Sequence, residues 1–361
     1  MSNNLPDNLD TFYVTIMHIA LTSLKFNNFQ DNFDVERFNS DGVDRSQDFD
    51  PNVRIFYFTH FFTKKHEFFQ SYQALSDDAS KLLYICLIVY RMVGHLAFRL
   101  PLEFCNRTGD LATFNALASS TASTYPLAGA LGKLQHFDFT FEGERYVADC
   151  FGFEYYLHRK QYFYHQNGVR VAPERDDFVI DGGACTGDTA LVFSNAVGKN
   201  GKVYSFDPVK DHFDLLTHNS KQFPYSNVMP MPYGLSDQEV KAPLLVTNQY
   251  APGFSHTSQS VPLISLDILV ERKEIEKIDF IKLDVEGAEM ATLHGAQNSI
   301  QKFRPKMAIS IYHKPDDLFE VIEYIKSKYN FYSLYIGHYT IHAEETVLYC
   351  HPSKSPFGNS K

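Results

Sequence analysis

The spacing of hydrophobic residues along the chain changes near residue 176. Before it, apolar residues recur at helical spacing in three segments, Thr11–Leu24, Phe61–Leu75 and Ala79–Met92. Asp77 supplies an N-cap in front of the third segment, and Gly94 is placed to end it. The pattern therefore predicts a mainly helical N-terminal region, with polar loops at 39–52 and 116–124.

After residue 176, short apolar runs alternate with segments of helical spacing. Five runs predict strands: Phe178–Asp181, Lys202–Asp207, Val228–Leu235, Asp279–Asp284 and Lys306–Tyr312. Four segments predict helices: Gly187–Ala196, Asp211–Gln222, Ala288–Ile300 and Asp316–Lys328. Tyr332–Tyr339 and Glu345–Cys350 predict a closing hairpin, and residues 240–266 an insertion rich in Pro and Ser. Such alternation is typical of an α/β fold with a parallel, doubly wound sheet.

Length and composition set limits on the protein class. With 361 residues, the chain is long enough for two domains, which we expect at 1–150 and 151–352, followed by a flexible tail at 353–361. The 33 Lys and Arg residues against 43 Asp and Glu argue against a nucleic acid as the main partner. The chain has 32 Phe and 22 Tyr but no Trp, an aromatic load that we expect mainly in the core.

The cysteines and the apolar segments indicate a cytoplasmic protein. The five cysteines include no Cys-x-x-Cys pair, so neither a disulfide framework nor a zinc site is expected. The most apolar stretch, Leu82–Leu100, contains Arg91, His95 and Arg99, which a membrane span would avoid. We therefore expect no membrane span. A homo-oligomer remains open.

A glycine-rich loop is the sharpest local signal in the sequence. Residues 181–188 (DGGACTGD) stand between a predicted strand and a predicted helix, where a ligand can approach the backbone closely. The G-x-G-x-x-G spacing of diphosphate-binding loops fails at Ala184. An acid such as Asp181 would repel a diphosphate, yet it suits a cationic ligand such as S-adenosylmethionine. Asp207, which ends the next strand, is placed to accept the ribose hydroxyls.

Three neighbouring residues have plainer interpretations. Cys185 is expected to be a small residue that fills the loop, and not a reactive thiol. Lys282 alternates with apolar residues and is expected to pair with an acid inside the sheet. Glu289 stands at a helix start, where a carboxylate stabilises the first turn.

In these and neighbouring motifs, the sequence resembles the FkbM-type S-adenosylmethionine-dependent methyltransferases. The resemblance covers about residues 155–350. It rests on five segments: Val179–Thr189 (VIDGGACTGDT), Gly201–Pro208 (GKVYSFDP), Ile281–Glu289 (IKLDVEGAE), Ser310–Pro315 (SIYHKP) and Glu345–Tyr349 (ETVLY). The second segment ends in Phe-Asp-Pro where the family more often has Phe-Glu-Pro, so the acid is kept but is one methylene shorter.

The resemblance implies a class I methyltransferase sheet with strand order 3-2-1-4-5-7-6, and methyl transfer to an oxygen of a sugar, a glycan or a related natural product. It also implies that the N-terminal region selects the acceptor, with oligomerisation as the alternative, and that Tyr162 closes over the cofactor, with core packing as the alternative. The expected cofactor-binding residues are Asp181, Gly182, Gly183, Ala184, Gly187, Asp188, Asp207, Pro208, Ser236 and Tyr162.

In that strand order, four candidate catalytic residues fall at the same sheet edge. Asp284 ends strand four, His313 strand five and His338 strand six, and Glu345 starts the returning strand seven. A sugar hydroxyl needs a base near pH 7 or a bound cation to remove its proton, and we favour His313 as that base. Strand-end capping is the alternative for each histidine, and no metal site is assigned.

Two other functions remain open at this point. One is a nicotinamide-dependent oxidoreductase, which Ala184 disfavours because the diphosphate loop needs glycine there. The other is a cofactor-fold protein that binds without catalysis, which the pair of acids Asp181 and Asp207 disfavours. The sequence favours an O-methyltransferase.

Overall fold

The structure is a computed structural model that describes residues 5–35, 49–102, 108–127, 134–246 and 259–353. Most of the predicted polar loop at 39–52, the centre of the predicted insertion and the tail beyond residue 353 lie outside these ranges.

The helices of the described residues are α1 (Leu9–Phe26), α2 (Pro51–Thr63), α3 (Lys65–Ala74), α4 (Asp78–Val93), α5 (Leu111–Leu117), α6 (Asp188–Val197), α7 (Lys210–Ser220), α8 (Leu266–Glu271), α9 (Glu289–His294), α10 (Gln297–Phe303) and α11 (Asp317–Lys328). The strands are β1 (Ser120–Ala122), β2 (Gln135–Phe141), β3 (Glu144–Cys150), β4 (Tyr164–Gln166), β5 (Val169–Val171), β6 (Phe178–Gly182), β7 (Lys202–Phe206), β8 (Val228–Met231), β9 (Gly234–Leu235), β10 (Val240–Val246), β11 (Gln259–Ile264), β12 (Phe280–Leu283), β13 (Lys306–Ser310), β14 (Tyr332–His338) and β15 (Thr346–Pro352). A single π-helical turn spans Glu154–His158.

The chain divides into two compact units, at other boundaries than those expected. The first unit takes the described residues of Met1–Cys105, Ile311–Leu348 and Ser353–Lys361, and the second those of Asn106–Ser310 and Tyr349–Pro352. The expected division at residue 150 is therefore not where the units separate. Contacts between residues far apart along the chain define a compact unit, and local hydrophobic spacing does not report them.

Aromatic side chains fill the core of the first unit. Phe12 of α1, Phe61 of α2 and Phe68 of α3 are all buried, and the rings of Phe61 and Phe68 lie 5.7 Å apart. Phe68 also meets the ring of Phe319 in α11 edge-on at 5.1 Å. In this unit, part of the large aromatic content therefore serves packing, as the sequence suggested.

Two serines at or just before the start of α4 accept hydrogen bonds from backbone N–H groups of β14. The hydroxyl of Ser76 accepts a hydrogen bond from the Leu334 N–H at 2.9 Å, and that of Ser80 from the Ile336 N–H at 3.0 Å. Asp77 caps α4 by accepting from the Ser80 N–H at 2.8 Å, and Gly94 follows the helix with a φ of 82°. Both predicted ends of this helix are confirmed.

Five parallel strands form the centre of the second unit, in the spatial order β8-β7-β6-β12-β13. The strands β6, β7 and β12 fall within one residue of their predicted bounds. β13 ends at Ser310, two residues before the predicted end. All five strands point their carboxyl ends to one edge, so the loops that follow β6, β7 and β12 lie on the same side of the sheet.

Two expectations for the second unit were wrong, and a third segment has structure that was not predicted. The described residues of 120–150, expected to end a helical region, contain the three-stranded antiparallel sheet β1-β2-β3. The predicted insertion contains an antiparallel hairpin, β10 and β11, which forms a separate sheet with β9. The helix predicted over 288–300 is broken into α9 and α10, and a Cβ on Gly295 in the break would lie only 2.0 Å from the Ser236 carbonyl oxygen.

Within the described residues, no helix has both the length and the apolar character that crossing a membrane requires. The four cysteines described there, Cys86, Cys150, Cys185 and Cys350, form no disulfide.

Candidate functional site

The loop between β6 and α6 has an unusual backbone. Gly183, Cys185 and Gly187 have φ values of 77°, 45° and 91°. A Cβ on Gly183 would lie 1.8 Å from the carbonyl oxygen of Asp284, so only glycine allows the loop to approach the end of β12 this closely. Cys185 is held in the same left-handed region at a cost, which the surrounding contacts must offset.

Beneath this loop, Asp181 is the centre of a buried polar cluster. The register of the sheet places Lys282 of β12 and Ser205 of β7 on either side of it. The Lys282 ammonium lies 3.3 Å from Oδ1 of Asp181, and the hydroxyls of Thr189 and Ser205 donate to Oδ2 at 3.0 and 3.3 Å. The predicted pairing of Lys282 with an acid is confirmed.

The position of Asp181 differs from that of an exposed ligand-binding acid. It has no exposed surface, and burial raises its pKa against the opposing effect of Lys282. Lys282 also donates to the carbonyl oxygens of Gly182 and Gly183 at 3.0 and 2.7 Å. The ion pair of Asp181 and Lys282 therefore holds the first residues of the loop in place.

Asp207 follows β7 and binds the same loop from the side. Its Oδ2 accepts a hydrogen bond from the Cys185 N–H at 2.9 Å, and its Oδ1 accepts one from the Val209 N–H at 2.9 Å. Nδ1 of His212 lies 3.3 Å from Oδ1. The acid expected to bind ribose thus also fixes the loop backbone, and the half-buried Pro208 follows it.

Two further groups of the loop differ in how readily they ionise. Asp188 begins α6, and burial raises its pKa to about 6. Burial also raises the pKa of the Cys185 thiol, so this thiol stays protonated at neutral pH. An inert Cys185 agrees with its interpretation as a residue that fills the loop.

Most backbone donors of the loop are already used within the protein. Gly183 and Ala184 both donate to the Phe206 carbonyl at 3.0 Å, Cys185 donates to Asp207, and Gly187 donates to the Ala184 carbonyl at 2.8 Å. A diphosphate-binding loop instead turns such N–H groups towards the phosphates. The carboxylates of Asp181, Asp188 and Asp284 all act on the Lys282 ammonium, and Asp207 acts on Cys185 of the loop. These donors and charges fit a cationic nucleoside ligand such as S-adenosylmethionine better than a dinucleotide.

Tyr162 lies beside Asp284 in the second unit. Its hydroxyl donates to Oδ2 of Asp284 at 3.0 Å, and Lys282 places its ammonium 5.5 Å from the ring centroid. Tyr162 is only 1% exposed. In this structure Tyr162 is packed and holds Asp284, as the packing alternative expects, and its closure over the cofactor stays a prediction.

Ser236 and Glu289 have contacts within the fold. Ser236, directly after β9, is buried, and its N–H donates to the Ile264 carbonyl at 3.0 Å. The carboxylate of Glu289 accepts from the Val285 N–H at 2.9 Å, four residues before it. This bond joins Glu289 to the loop before the helix and not to an N–H of the first turn, so the capping role expected of Glu289 stays a prediction.

Of the candidate catalytic residues, Asp284 belongs to the second unit, and the other three belong to the first. Asp284 directly follows β12, as predicted. His313 is half-buried three residues after β13, with its ring 4.2 Å from that of Tyr312. Glu345 precedes β15 and does not start it. The row of four residues as a whole stays a prediction.

His338 has the environment of a packed histidine. It ends β14 as predicted, has no exposed surface, and its Nδ1 lies 3.0 Å from the Thr346 hydroxyl. Burial lowers its pKa to about 3. These surroundings do not favour a role as proton acceptor, and the supporting catalytic role expected of His338 stays a prediction.

Three residues that hold the loop were not among the predicted site residues. Thr189 and Ser205 bind Asp181, and Asn219 donates to the Thr186 carbonyl at 2.7 Å. The spacing of Thr189, eight residues after Asp181 and in the first turn of the predicted helix, was a usable signal. Asn219 had none, because its partners are distant along the chain.

Comparisons with known proteins show which family the sequence is similar to. Residues 181–332 match the methyltransferase FkbM domain. The chain is 35% identical over 132 residues to the hexuronic acid methyltransferase AglP of Haloferax volcanii, a match that covers 36% of this chain and 53% of that protein. The chain therefore spans about half the length of this curated relative.

A solved structure resembles the chain as well. It is a methyltransferase FkbM from Methylobacillus flagellatus KT, with a TM-score of 0.53 and 17% sequence identity, covering 81% of this chain and 60% of that one. At this identity the likeness concerns the fold, which is an α/β fold like that of the class I methyltransferases.

Proposed function

Residues 181–332 of this chain form an FkbM-type methyltransferase domain, and from this premise we propose that the chain transfers a methyl group from S-adenosylmethionine to a hydroxyl of a sugar, a glycan or a related natural product. The observation that carries the proposal is the glycine loop with its acids. When bound, S-adenosylmethionine supplies a methyl group on a sulfonium. The name of the Haloferax volcanii relative supports a sugar-related acceptor.

Each part of the loop has a task in this proposal. Asp207 accepts the ribose hydroxyls, Asp188 and Asp284 favour the positive charge, and Gly183 lets the backbone come close. Asp181 and Lys282 hold the loop without touching the cofactor. We also propose the complete strand order 3-2-1-4-5-7-6, with β14 and β15 as strands six and seven, which the order 3-2-1-4-5 of the central strands supports.

Methyl transfer from a sulfonium is an in-line displacement, in which the protein mainly aligns the acceptor oxygen. The leaving thioether needs no acid. The acceptor hydroxyl does need a base, because its own pKa lies far above 7. We propose His313 for this task, on the strength of its place after the fifth strand. Glu345 supports it, and Asp284 is the second candidate.

The proposal is tested by incubating the full chain with S-adenosylmethionine that carries a labelled methyl group, together with glycan and metabolite extracts and purified hexuronic acids. Label in a sugar-containing product supports it. Binding of S-adenosylhomocysteine without transfer to any acceptor would favour the non-catalytic alternative. Tight binding of NADH in place of S-adenosylhomocysteine would favour the oxidoreductase.

Asp188→Asn is expected to stabilise the free protein at pH 8 but not at pH 4. Burial raises the pKa of Asp188 to about 6, so the folded state binds a proton more tightly than the unfolded state. Stability is then lost as the pH rises from the unfolded pKa near 4 towards 6. At 1.36 kcal/mol per pKa unit, this shift lowers the free energy of unfolding at pH 8 by at most about 3 kcal/mol. Asparagine does not ionise, so the variant avoids this loss.

Urea unfolding at pH 4 and pH 8 measures this effect, with Asp211→Asn in the exposed first turn of α7 as the control. The same variant should bind S-adenosylmethionine more weakly at pH 8, because a negative charge near the sulfonium is gone. Equal stability of Asp188→Asn and the native protein at both pH values would contradict the prediction.

His313→Ala is expected to lower turnover at least about tenfold while the affinity for S-adenosylhomocysteine stays within about twofold, because base catalysis contributes about 10²–10⁴ in rate. His294→Ala, at the end of α9, is the matched control and should keep its activity. A fully active His313→Ala variant would remove His313 as the base. Loss of native activity on exhaustive chelation would point to a bound cation instead.

A further inference from the structure

Asn219 connects the glycine loop to a part of the chain outside the five-stranded sheet. It lies in the last turn of α7 and is completely buried. Its Nδ2 donates to the Thr186 carbonyl at 2.7 Å and to the Asp149 carbonyl at 2.9 Å, and its Oδ1 accepts from the Asp149 N–H at 3.0 Å. Turning the amide over would set its oxygen against two carbonyl oxygens, so these partners fix its orientation.

The contact at Thr186 completes the support of the loop. Residues 183–185 are held from the end of β7, through the Phe206 carbonyl and the Asp207 carboxylate. Thr186 follows the strained Cys185, whose φ is 45°. A residue in this region returns to a more favourable backbone conformation unless its neighbours on both sides are fixed. Asp207 fixes one side through the Cys185 N–H, and Asn219 fixes the other through the Thr186 carbonyl.

Asp149 in turn belongs to the hairpin of β2 and β3. It pairs with His136 across the two strands, and its Oδ1 accepts from the Ser123 hydroxyl at 2.7 Å. Nδ1 of His136 lies 3.2 Å from the same oxygen. The backbone of Asp149 is thereby held in the hairpin, and Asn219 binds both its N–H and its carbonyl. The buried amide of Asn219 is therefore hydrogen-bonded both to the hairpin and to the loop, and Cys150 and Ala184 also belong to one apolar cluster.

From these contacts we infer that Asn219 is a positioning residue for the cofactor loop, and that the β2–β3 hairpin is part of the framework that sets the loop for S-adenosylmethionine. The identity of the ligand in this inference rests on the proposed function. The role of Asn219 in holding the loop does not depend on the proposed function. Asn219 itself touches no cofactor in this arrangement and acts through Thr186.

A matched control exists in the same unit. Asn227 is also a buried asparagine with three side-chain hydrogen bonds: its Nδ2 donates to the Gly198 and Ser194 carbonyls at 2.8 and 3.4 Å, and its Oδ1 accepts from the Ser194 hydroxyl at 2.6 Å. These bonds lie at the opposite end of α6 from the loop. Asn227→Ala therefore removes a comparable buried amide without touching the loop.

The experiment compares Asn219→Ala with Asn227→Ala in the full chain by two measurements. Calorimetry with S-adenosylhomocysteine should show about a tenfold or larger loss of affinity for Asn219→Ala and a change within about twofold for Asn227→Ala. Hydrogen exchange should rise in residues 183–187 for Asn219→Ala only. Melting temperatures should fall in both variants, which separates loss of stability from loss of loop position.

Native affinity together with native exchange in Asn219→Ala would overturn the inference, as would equal effects of the two variants on the loop. If the native chain binds no S-adenosylhomocysteine, the proposed cofactor is wrong, and the exchange comparison still decides whether Asn219 positions the loop. If Asn219→Ala does not fold, Asn219→Ser is measured in the same way. Its hydroxyl is too short to reach Thr186, so the same changes are expected.

Discussion

Asp207→Ala is expected to weaken the binding of S-adenosylhomocysteine by about two orders of magnitude or more. In the proposed function Asp207 accepts two ribose hydroxyls, and each hydrogen bond to a carboxylate that the variant would lose contributes about 1.5–3 kcal/mol, or roughly tenfold or more in affinity. The variant also loses the bond from the Cys185 N–H at 2.9 Å, which helps to hold the loop. Both losses act on the same ligand, so the affinity falls further than the ribose contacts alone would require.

Calorimetry on the full chain measures this loss of affinity, and two further variants serve as comparisons. Asp207→Asn keeps the shape and one acceptor oxygen, so it should fall between the alanine variant and the native chain. Asp211→Ala removes an exposed carboxylate four residues further along and should bind normally. A folded Asp207→Ala protein with native affinity would exclude Asp207 as the ribose ligand.

The elements that could be predicted from sequence are those fixed by short-range patterns. β6, β7 and β12 are buried on both faces, so each appears as a short apolar run that ends in an acid. The carboxyl ends of such runs locate Asp207 and Asp284 to within a residue. The cap of α4 at Asp77 was predictable for the same reason, since the capping residue and its partner Ser80 are three positions apart.

The elements that were missed lie outside the five-stranded sheet. Residues 136–141 (HFDFTF) alternate polar and aromatic side chains, which is the spacing of a strand, and β2 pairs with β3 directly after a two-residue turn and packs in an aromatic core around Phe137, Phe139 and Phe153. The strand β10 pairs with β11 across residues outside the described ranges. The alternation in β2 was therefore a local signal of a strand that the expectation of a helical region did not use, whereas the pairing of β10 with β11 had no such signal.

In the candidate site, too, some features follow from the local sequence and others depend on residues far along the chain. The sequence pointed to Asp181 as an acid for a cation, but the cation beside it is Lys282, about a hundred residues later and directly opposite in the register. Burial by neighbouring strands, which no local pattern reports, makes Asp181 a support for the loop. Asp207 lies one residue beyond its strand and keeps a small exposed surface of 5%.

Lys282→Met is expected to lower the free energy of unfolding at pH 7 by about 3–5 kcal/mol, the usual cost of removing one partner of a buried ion pair. The Asp181 carboxylate would remain with no exposed surface and with only the hydroxyls of Thr189 and Ser205 as donors. Burial already raises the pKa of Asp181, and the loss of the ammonium raises it further. Guanidinium unfolding of the full chain measures the change.

The pH dependence distinguishes an unpaired charge from a simple packing defect. Since the folded pKa of Asp181 in Lys282→Met lies above its unfolded value, the destabilisation should be largest at pH 7 and shrink as the pH falls towards 4. Adding Asp181→Asn to Lys282→Met should recover much of the loss at pH 7. Lys277→Met breaks a pair with Asp279 in which the ammonium side chain is 48% exposed, so it should cost at most about 1 kcal/mol. A loss in Lys282→Met that is independent of pH and is not relieved by Asp181→Asn would mean that packing, and not charge, fixes this residue beneath the loop.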